Sequence, residues 1–182
     1  MPTPTCTVIR GILEGWGLDV AKDAKTYWLN MTTLSDPAKV GEALAALHAA
    51  QVPVAHIGVA GIAPALDSIG KSLIQGGRVR DEFVPLFADV EPVFSVPPDN
   101  RILATRNSFL ASIKSGIAPP ADAVEERRCW LDPSARNRLV APLLQGSVLL
   151  VVNPSSHQQW MQGTRILLKH SQNSVLSHEI IR

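Results

Sequence analysis

Residues 146–156 read Gly-Ser-Val-Leu-Leu-Val-Val-Asn-Pro-Ser-Ser and carry the strongest structural signal in the chain. The run Val148 to Val152 is apolar at every position, which is typical of a strand that is buried on both faces of a sheet. Pro154-Ser-Ser156 follows it with residues that favour the start of a helix. We therefore expect a central strand, a helix over Ser156 to His170 and a last strand over Val175 to Ile180.

A similar order of elements occurs earlier in the chain. Thr26 to Thr33 is rich in β-branched and aromatic residues, so it predicts a strand. Asp36 is then a candidate N-cap, with Pro37 at the first helical position. A second strand is predicted over Val54 to Val59. Four apolar residues of the intervening helix are spaced to lie on one face that packs on a sheet, namely Val40, Ala43, Leu44 and Leu47.

Two βαβ units in a chain of 182 residues predict a single α/β domain. Because each helix has one apolar stripe, we expect both helices to cover one face of a shared sheet, in the ferredoxin-like arrangement. The first unit spans 26–59 and the second spans 146–182. Residues 60–145 are predicted to form a mostly helical middle insertion that covers part of the sheet.

Within the middle insertion, the residue pattern predicts a strand at Val93 to Val96 and a helix at Arg101 to Ser115. Two shorter helical stretches are predicted at 121–129 and 133–144. Proline-rich segments at 97–100 and 117–120 are the predicted boundaries between these elements. An alternative fold is a small doubly wound parallel α/β sheet, which would include the strand at Val93 to Val96.

Composition and charge exclude several classes of protein. The formal net charge is +1 and the charged residues are scattered, so the sequence does not predict a basic face for nucleic acid. Apolar runs are too short to span a membrane, and the N-terminus lacks the features of a secretory signal. Cys6 and Cys129 form no CxxC pair, which argues against a structural zinc site. We expect a cytoplasmic protein without a cofactor.

The segment Ala65-Leu-Asp-Ser-Ile-Gly-Lys-Ser72 is similar to the phosphate-binding loop pattern G-x-x-x-x-G-K-[ST]. In such a loop, Gly70 and its neighbours would cradle phosphate, Lys71 would contact the β- and γ-phosphates, and Ser72 would bind magnesium. Ala65 replaces the first glycine, which that loop needs for its turn. The alternative interpretation is an amphipathic helix from about Ala65 to Ile74, ended by Gly76-Gly77.

Histidines are the other candidates for chemistry. His56 and His178 fall in the second strand of each βαβ unit, where they could face each other and hold a metal or act as an acid and base. The alternative is that they are separate strand residues with no joint role. His48 and His170 end their helices, where the helix dipole favours a cation.

The layout of the chain resembles the small bacterial heat-induced or general stress protein family, in which a βαβ unit, a Gly- and Ala-rich middle and a closing βαβ unit follow in order. The resemblance rests on Tyr27 to Val59 and on Asp132 to His178. Within the second segment, Ser134 to Val152 is similar to that family's short helix, glycine and apolar strand. The resemblance covers under half the chain and brings no catalytic residues with it, so it implies a non-enzymatic role.

Three functional hypotheses follow. The first is a non-catalytic stress-associated or regulatory protein that acts by self-association, as a homo-oligomer, or by binding a protein partner. The second is a small-ligand or nucleotide-binding enzyme with a site at Gly70 to Ser72, with His56 or His178 in reach. The third is a secreted effector or its cognate inhibitor.

Overall fold

The computed structural model describes residues 5–8, 26–97, 99–106, 116–120, 122 and 131–181. Within these ranges, no helix is both long enough and apolar enough to cross a membrane. The strands are β1 (Thr5–Val8), β2 (Thr26–Leu34), β3 (Ile57–Ile62), β4 (Val90–Val96), β5 (Asn100–Thr105), β6 (Val148–Val152) and β7 (Leu176–Ile181). The helices are α1 (Pro37–Ala49), α2 (Ala63–Gln75), α3 (Val84–Ala88), α4 (Pro133–Leu144) and α5 (His157–His170).

The seven strands of the described residues belong to one sheet, in the order β1-β7-β2-β6-β3-β5-β4. β1 and β7 pair in parallel, whereas every other neighbouring pair is antiparallel. The chain is therefore a mixed α/β protein, and the alternative of a doubly wound parallel sheet is wrong. One feature of that alternative is correct, because the strand predicted at Val93 to Val96 does join this sheet as part of β4.

The central position of β6 follows from its sequence. All five of its residues are buried, as expected for an apolar strand with cover on both faces. Because successive side chains of a strand point to opposite faces, Val148, Leu150 and Val152 pack in one core and Leu149 and Val151 in the other. The first core lies under α1, α2 and α5, and the second lies under α4.

Both predicted helix starts are confirmed. The Asp36 carboxylate accepts a hydrogen bond from the Ala38 amide at 2.8 Å, with Pro37 beginning α1. The Ser156 hydroxyl accepts one from the Gln159 amide at 3.2 Å at the start of α5. These caps satisfy amides that have no partner inside the helix. The apolar stripe predicted for α1 is buried, namely Val40, Ala43, Leu44 and Leu47.

A buried polar seam joins α5 to the sheet. The Asn30 amide nitrogen, on β2, donates to the Trp160 carbonyl at 3.0 Å. The Asn30 amide oxygen accepts from the Thr164 hydroxyl at 2.9 Å and from the Ser177 hydroxyl at 2.8 Å. Gly163 lies directly over Asn30, and a Cβ atom on it would be 2.6 Å from Asn30 Nδ2. The seam therefore fixes how closely α5 approaches β2.

The middle of the chain differs from its prediction. Asn100–Thr105 is strand β5, so the helix predicted at Arg101 to Ser115 is wrong where it overlaps this strand, and residues 107–115 lie outside the described residues. Ile102 and Ala104 pack in the second core, and Leu103, between them, packs against the first. The segment at 97–100 connects β4 and β5 as a hairpin, with Val96 paired to Asn100. The middle therefore adds strands to the sheet besides helical cover.

Two other predictions concern neighbouring elements. The helix predicted at 133–144 is confirmed as α4, whose N-cap Asp132 accepts from the Ala135 amide at 3.0 Å. Most of the helical stretch predicted at 121–129 lies outside the described residues. The strand predicted over Val54 to Val59 begins only at Ile57, because Val54–His56 forms a turn of 3₁₀ helix after Pro53.

Candidate functional site

The phosphate-loop segment is helical. Gly70, Lys71 and Ser72 lie inside α2, where backbone amides bond along the helix and cannot converge on a phosphate. A Cβ atom on Gly70 would lie 3.0 Å from Phe87 Cβ, so this glycine serves close packing. Lys71 Nζ is paired with Asp67 at 2.7 Å. The phosphate-loop prediction is therefore wrong, and the alternative interpretation as a helix that ends at the two glycines is confirmed.

His56 and His178 are not brought together. Ile57, Val152, Asn30 and Ser177 form one row across four strands, which places the two histidines in the adjacent row with β6 and β2 between them. Three strand spacings of about 4.8 Å separate their backbones by about 14 Å. His56 also lies before β3 in the 3₁₀ turn. In the described ranges, no cluster of three or more His, Cys, Asp or Glu side chains could hold a metal.

His178 is a buried residue of β7 on the face that α4 covers. Its side chain is 2% exposed. Burial lowers its pKa from 6.5 to about 4, and the nearby Asp132 carboxylate opposes this shift in part. The imidazole is therefore neutral at neutral pH, and it belongs to the second core and not to an open site.

A cleft of about 560 Å³ opens at the C-terminal end of α1. Its volume falls in the range of ligand pockets in proteins. The end of α1, the turn before β3 and the 3₁₀ turn Asp81–Phe83 supply its walls. The residues that line this cleft, called the His48 cleft below, are His48, Ala49, Gln51, Val52, Pro53, Val54 and Glu82.

The His48 ring is held from both sides. Its Nδ1 lies 2.8 Å from Glu82 Oε1, and its Nε2 lies 2.8 Å from Arg80 Nη1. A guanidinium can only donate, so Nε2 accepts and the proton sits on Nδ1, which donates to Glu82. The Phe83 ring packs edge-on to the imidazole at 6.1 Å. Both ring nitrogens of His48 therefore have partners, and the orientation of the ring is fixed.

Gln51 has an unusual backbone conformation at the rim of this cleft. Its φ is 59°, and no other non-glycine residue in the described ranges has a positive φ. The Gln51 amide donates to the His48 carbonyl and the Val52 amide donates to the Leu47 carbonyl. These two bonds form a Schellman motif, in which the left-handed position is usually glycine. The glutamine side chain is thus kept at the cleft in spite of backbone strain.

A Gln51→Gly variant tests this strain. We expect it to raise the free energy of unfolding by about 1 kcal/mol, because glycine adopts the left-handed conformation without a Cβ clash. The melting temperature should rise by about 2–4 °C. Gln51→Ala is the control, since it removes the amide but keeps the strain. A glycine variant no more stable than the alanine variant would contradict the interpretation.

The sequence contains no local signal for the His48 cleft. Arg80 and Glu82 are more than thirty residues from His48, and the three side chains meet only because α1 and the turn after α2 pack together. No hydroxyl or thiol is among the described residues that line the cleft, so it offers polar and apolar contacts but no Ser, Thr, Tyr or Cys nucleophile. Comparisons of the chain with protein family models, with curated proteins and with solved structures find no match.

Proposed function

We propose that this protein is a non-catalytic regulatory or stress-associated protein that binds a partner at the His48 cleft. The observation that carries the proposal is the engagement of both His48 ring nitrogens, one with Glu82 and the other with Arg80. A histidine in this state cannot accept a proton from a substrate without first losing a partner. The cleft is therefore suited to binding and not to proton transfer.

The proposal places this binding site on a ferredoxin-like sheet. The four strands of the two βαβ units stand in the order β7-β2-β6-β3, and α1 and α5 pack side by side on one face. This order and this cover support the ferredoxin-like arrangement. Because one fold hosts many activities, the fold itself does not choose a function.

Partner binding is better supported than self-association. The outer strand β4 contains Pro92, which has no amide to donate, beside the charged Glu91 and an irregular register. Such features protect a strand from pairing with another chain. The exposed large apolar residues of the described ranges, Ile74 and Met161, lie on α2 and α5, which pack on either side of α1. Separate apolar residues of this kind do not form an interface patch.

The charge and the apolar surface of the His48 cleft indicate which kind of partner would bind there. Among the described residues that line it, Glu82 is the only Asp, Glu, Lys or Arg, and its side chain is 43% exposed. The negative end of the α1 dipole points the same way. Pro53 and Val54 form an apolar wall beside it. We therefore infer a peptide segment of a partner protein in which a lysine or arginine stands next to an apolar side chain.

A peptide selection experiment tests the proposal. A random peptide library is selected on the wild-type protein, and the peptides obtained are titrated against a Glu82→Gln variant. We expect peptides with adjacent basic and apolar residues, and a dissociation constant at least fivefold higher for Glu82→Gln, because glutamine keeps a hydrogen-bond acceptor for His48 but removes the charge. Asp67→Asn is the matched control, since Asp67 is an exposed carboxylate on α2. Equal affinity for all three proteins would overturn the assignment.

The nucleotide-binding alternative has its own discriminating measurement. A magnesium nucleotide at a concentration of about a hundred times its dissociation constant would raise the free energy of unfolding of a protein that binds it by about 2.7 kcal/mol. We expect no shift in melting temperature with these ligands, in either the wild type or Lys71→Ala, because Lys71 and Ser72 lie along a helix. A shift that disappears in Lys71→Ala would favour the enzyme hypothesis.

A further inference from the structure

A second cleft, of about 300 Å³, lies between α4 and the loop that joins α5 to β7. It is separate from the His48 cleft and shares none of its lining residues. Its volume is that of about ten liquid water molecules, which suits a small ligand. The lining residues are Thr33, Arg138, Leu139, Pro142, Gln172, Asn173, Ser174 and Leu176.

The polar part of this cleft combines one guanidinium with neutral amide and hydroxyl groups. Arg138 is the only charged lining residue, and it has no ion pair within the described residues. The Gln172 amide and the Ser174 hydroxyl, which can donate as well as accept, also line the cleft. No carboxylate is among the described residues that line the cleft, so the charge of Arg138 favours an anion.

The loop that carries these groups is held in place by the protein itself. Asn173 Nδ2 donates to the Thr33 carbonyl at 3.1 Å and to the Thr33 hydroxyl at 2.9 Å. The hydroxyl groups of Thr32 and Ser171 lie 2.6 Å apart, and the Thr32 hydroxyl also donates to the Ser174 carbonyl. A site that is ordered before the ligand arrives avoids the entropy loss of ordering it on binding.

The remaining wall is apolar. Leu139 and Leu176 are each 2% exposed and form the base of the cleft, with Pro142 beside them. A guanidinium with adjacent neutral donors binds a planar carboxylate through two parallel hydrogen bonds. We propose that this cleft binds a small carboxylate with a compact apolar body, in which Arg138 takes the carboxylate and the apolar body lies on Leu139 and Leu176.

Benzoate, benzamide and inorganic phosphate form a matched set of probes. They are titrated into ¹⁵N-labelled protein while the Asn173 side-chain amide and the Ser174 backbone amide are followed by NMR. We expect saturable shifts with benzoate and at least tenfold weaker binding of benzamide, which lacks the charge. Phosphate, which lacks the apolar body, should also bind at least tenfold more weakly.

Variants of Arg138 complete the test. Arg138→Ala should weaken benzoate binding at least tenfold, and Arg138→Lys should weaken it less, since it keeps the charge but not the planar pair of donors. Arg165→Ala, an exposed arginine on α5 outside the cleft, is the control and should bind as the wild type does. The proposal is overturned if benzoate causes no saturable shift, if Arg138→Ala binds it equally well, or if benzamide or phosphate binds as tightly as benzoate.

Discussion

A Gly163→Ala variant is expected to unfold at a temperature about 6–12 °C below that of the wild type. The new Cβ atom would lie 2.6 Å from Asn30 Nδ2, which must move and lose its bond to the Trp160 carbonyl. Overpacking and a lost buried hydrogen bond together cost about 4 kcal/mol, and the better helix propensity of alanine returns about 1 kcal/mol. The net loss of about 3 kcal/mol corresponds to that change in melting temperature.

The control for this prediction is Gln162→Ala, an exposed position in the same helix. It should change the free energy of unfolding by no more than about 0.5 kcal/mol. In a double variant, Asn30→Ala with Gly163→Ala, the two effects should be less than additive, because Asn30→Ala removes the Nδ2 atom with which the new Cβ clashes. A Gly163→Ala protein as stable as the wild type would show that α5 can move away from β2 at little cost.

The free energy of unfolding is expected to fall by about 3 kcal/mol between pH 7 and pH 4 through His178 alone. Its pKa in the folded protein is about 4, against an ordinary value of 6.5. Above pH 6.5, His178 is mostly unprotonated in both the folded and the unfolded chain, so it does not change the free energy of unfolding there. Between these two pH values the unfolded chain binds the proton first, so stability is lost as the pH falls.

Urea unfolding at several pH values checks this expectation, with His178→Asn as the comparison. Asparagine does not titrate, so the variant should be less stable than the wild type at pH 7 but should lose less stability on acidification. The difference between the two proteins should therefore narrow below pH 6. Parallel curves for the two proteins would mean that another group causes the acid sensitivity.

Local signals predicted those parts of the fold that depend on neighbouring residues. Asp36 and Ser156 cap their helices because each side chain reaches an amide two or three residues ahead. The apolar run Val148 to Val152 specifies a doubly covered strand without reference to any partner. At these positions the structure depends on residues that are close in sequence, so the sequence pattern alone predicts it.

The errors arose where distant contacts decide the structure. Ile102, Leu103 and Ala104 have apolar neighbours that suit a helix as well as a strand, and pairing with β3 and β4 makes them a strand. Gly70-Lys71 has the composition of a phosphate loop, but it lies within the continuous helix Ala63–Gln75, in which Gly70 packs on Phe87. The His48 cleft was not predicted, because Glu82 reaches His48 only after α1 and α2 have packed.

The position of β6 between β2 and β3 constrains the order in which the chain can fold during synthesis. β2 and β3 do not pair with each other, and one edge of each strand forms its hydrogen bonds with β6. Until residues 148–152 leave the ribosome, the earlier strands therefore present open hydrogen-bonding edges that could pair with other nascent chains. The strand that unites the sheet thus closes one edge of β2 and one edge of β3 late in synthesis, and β7 closes the other edge of β2 later still.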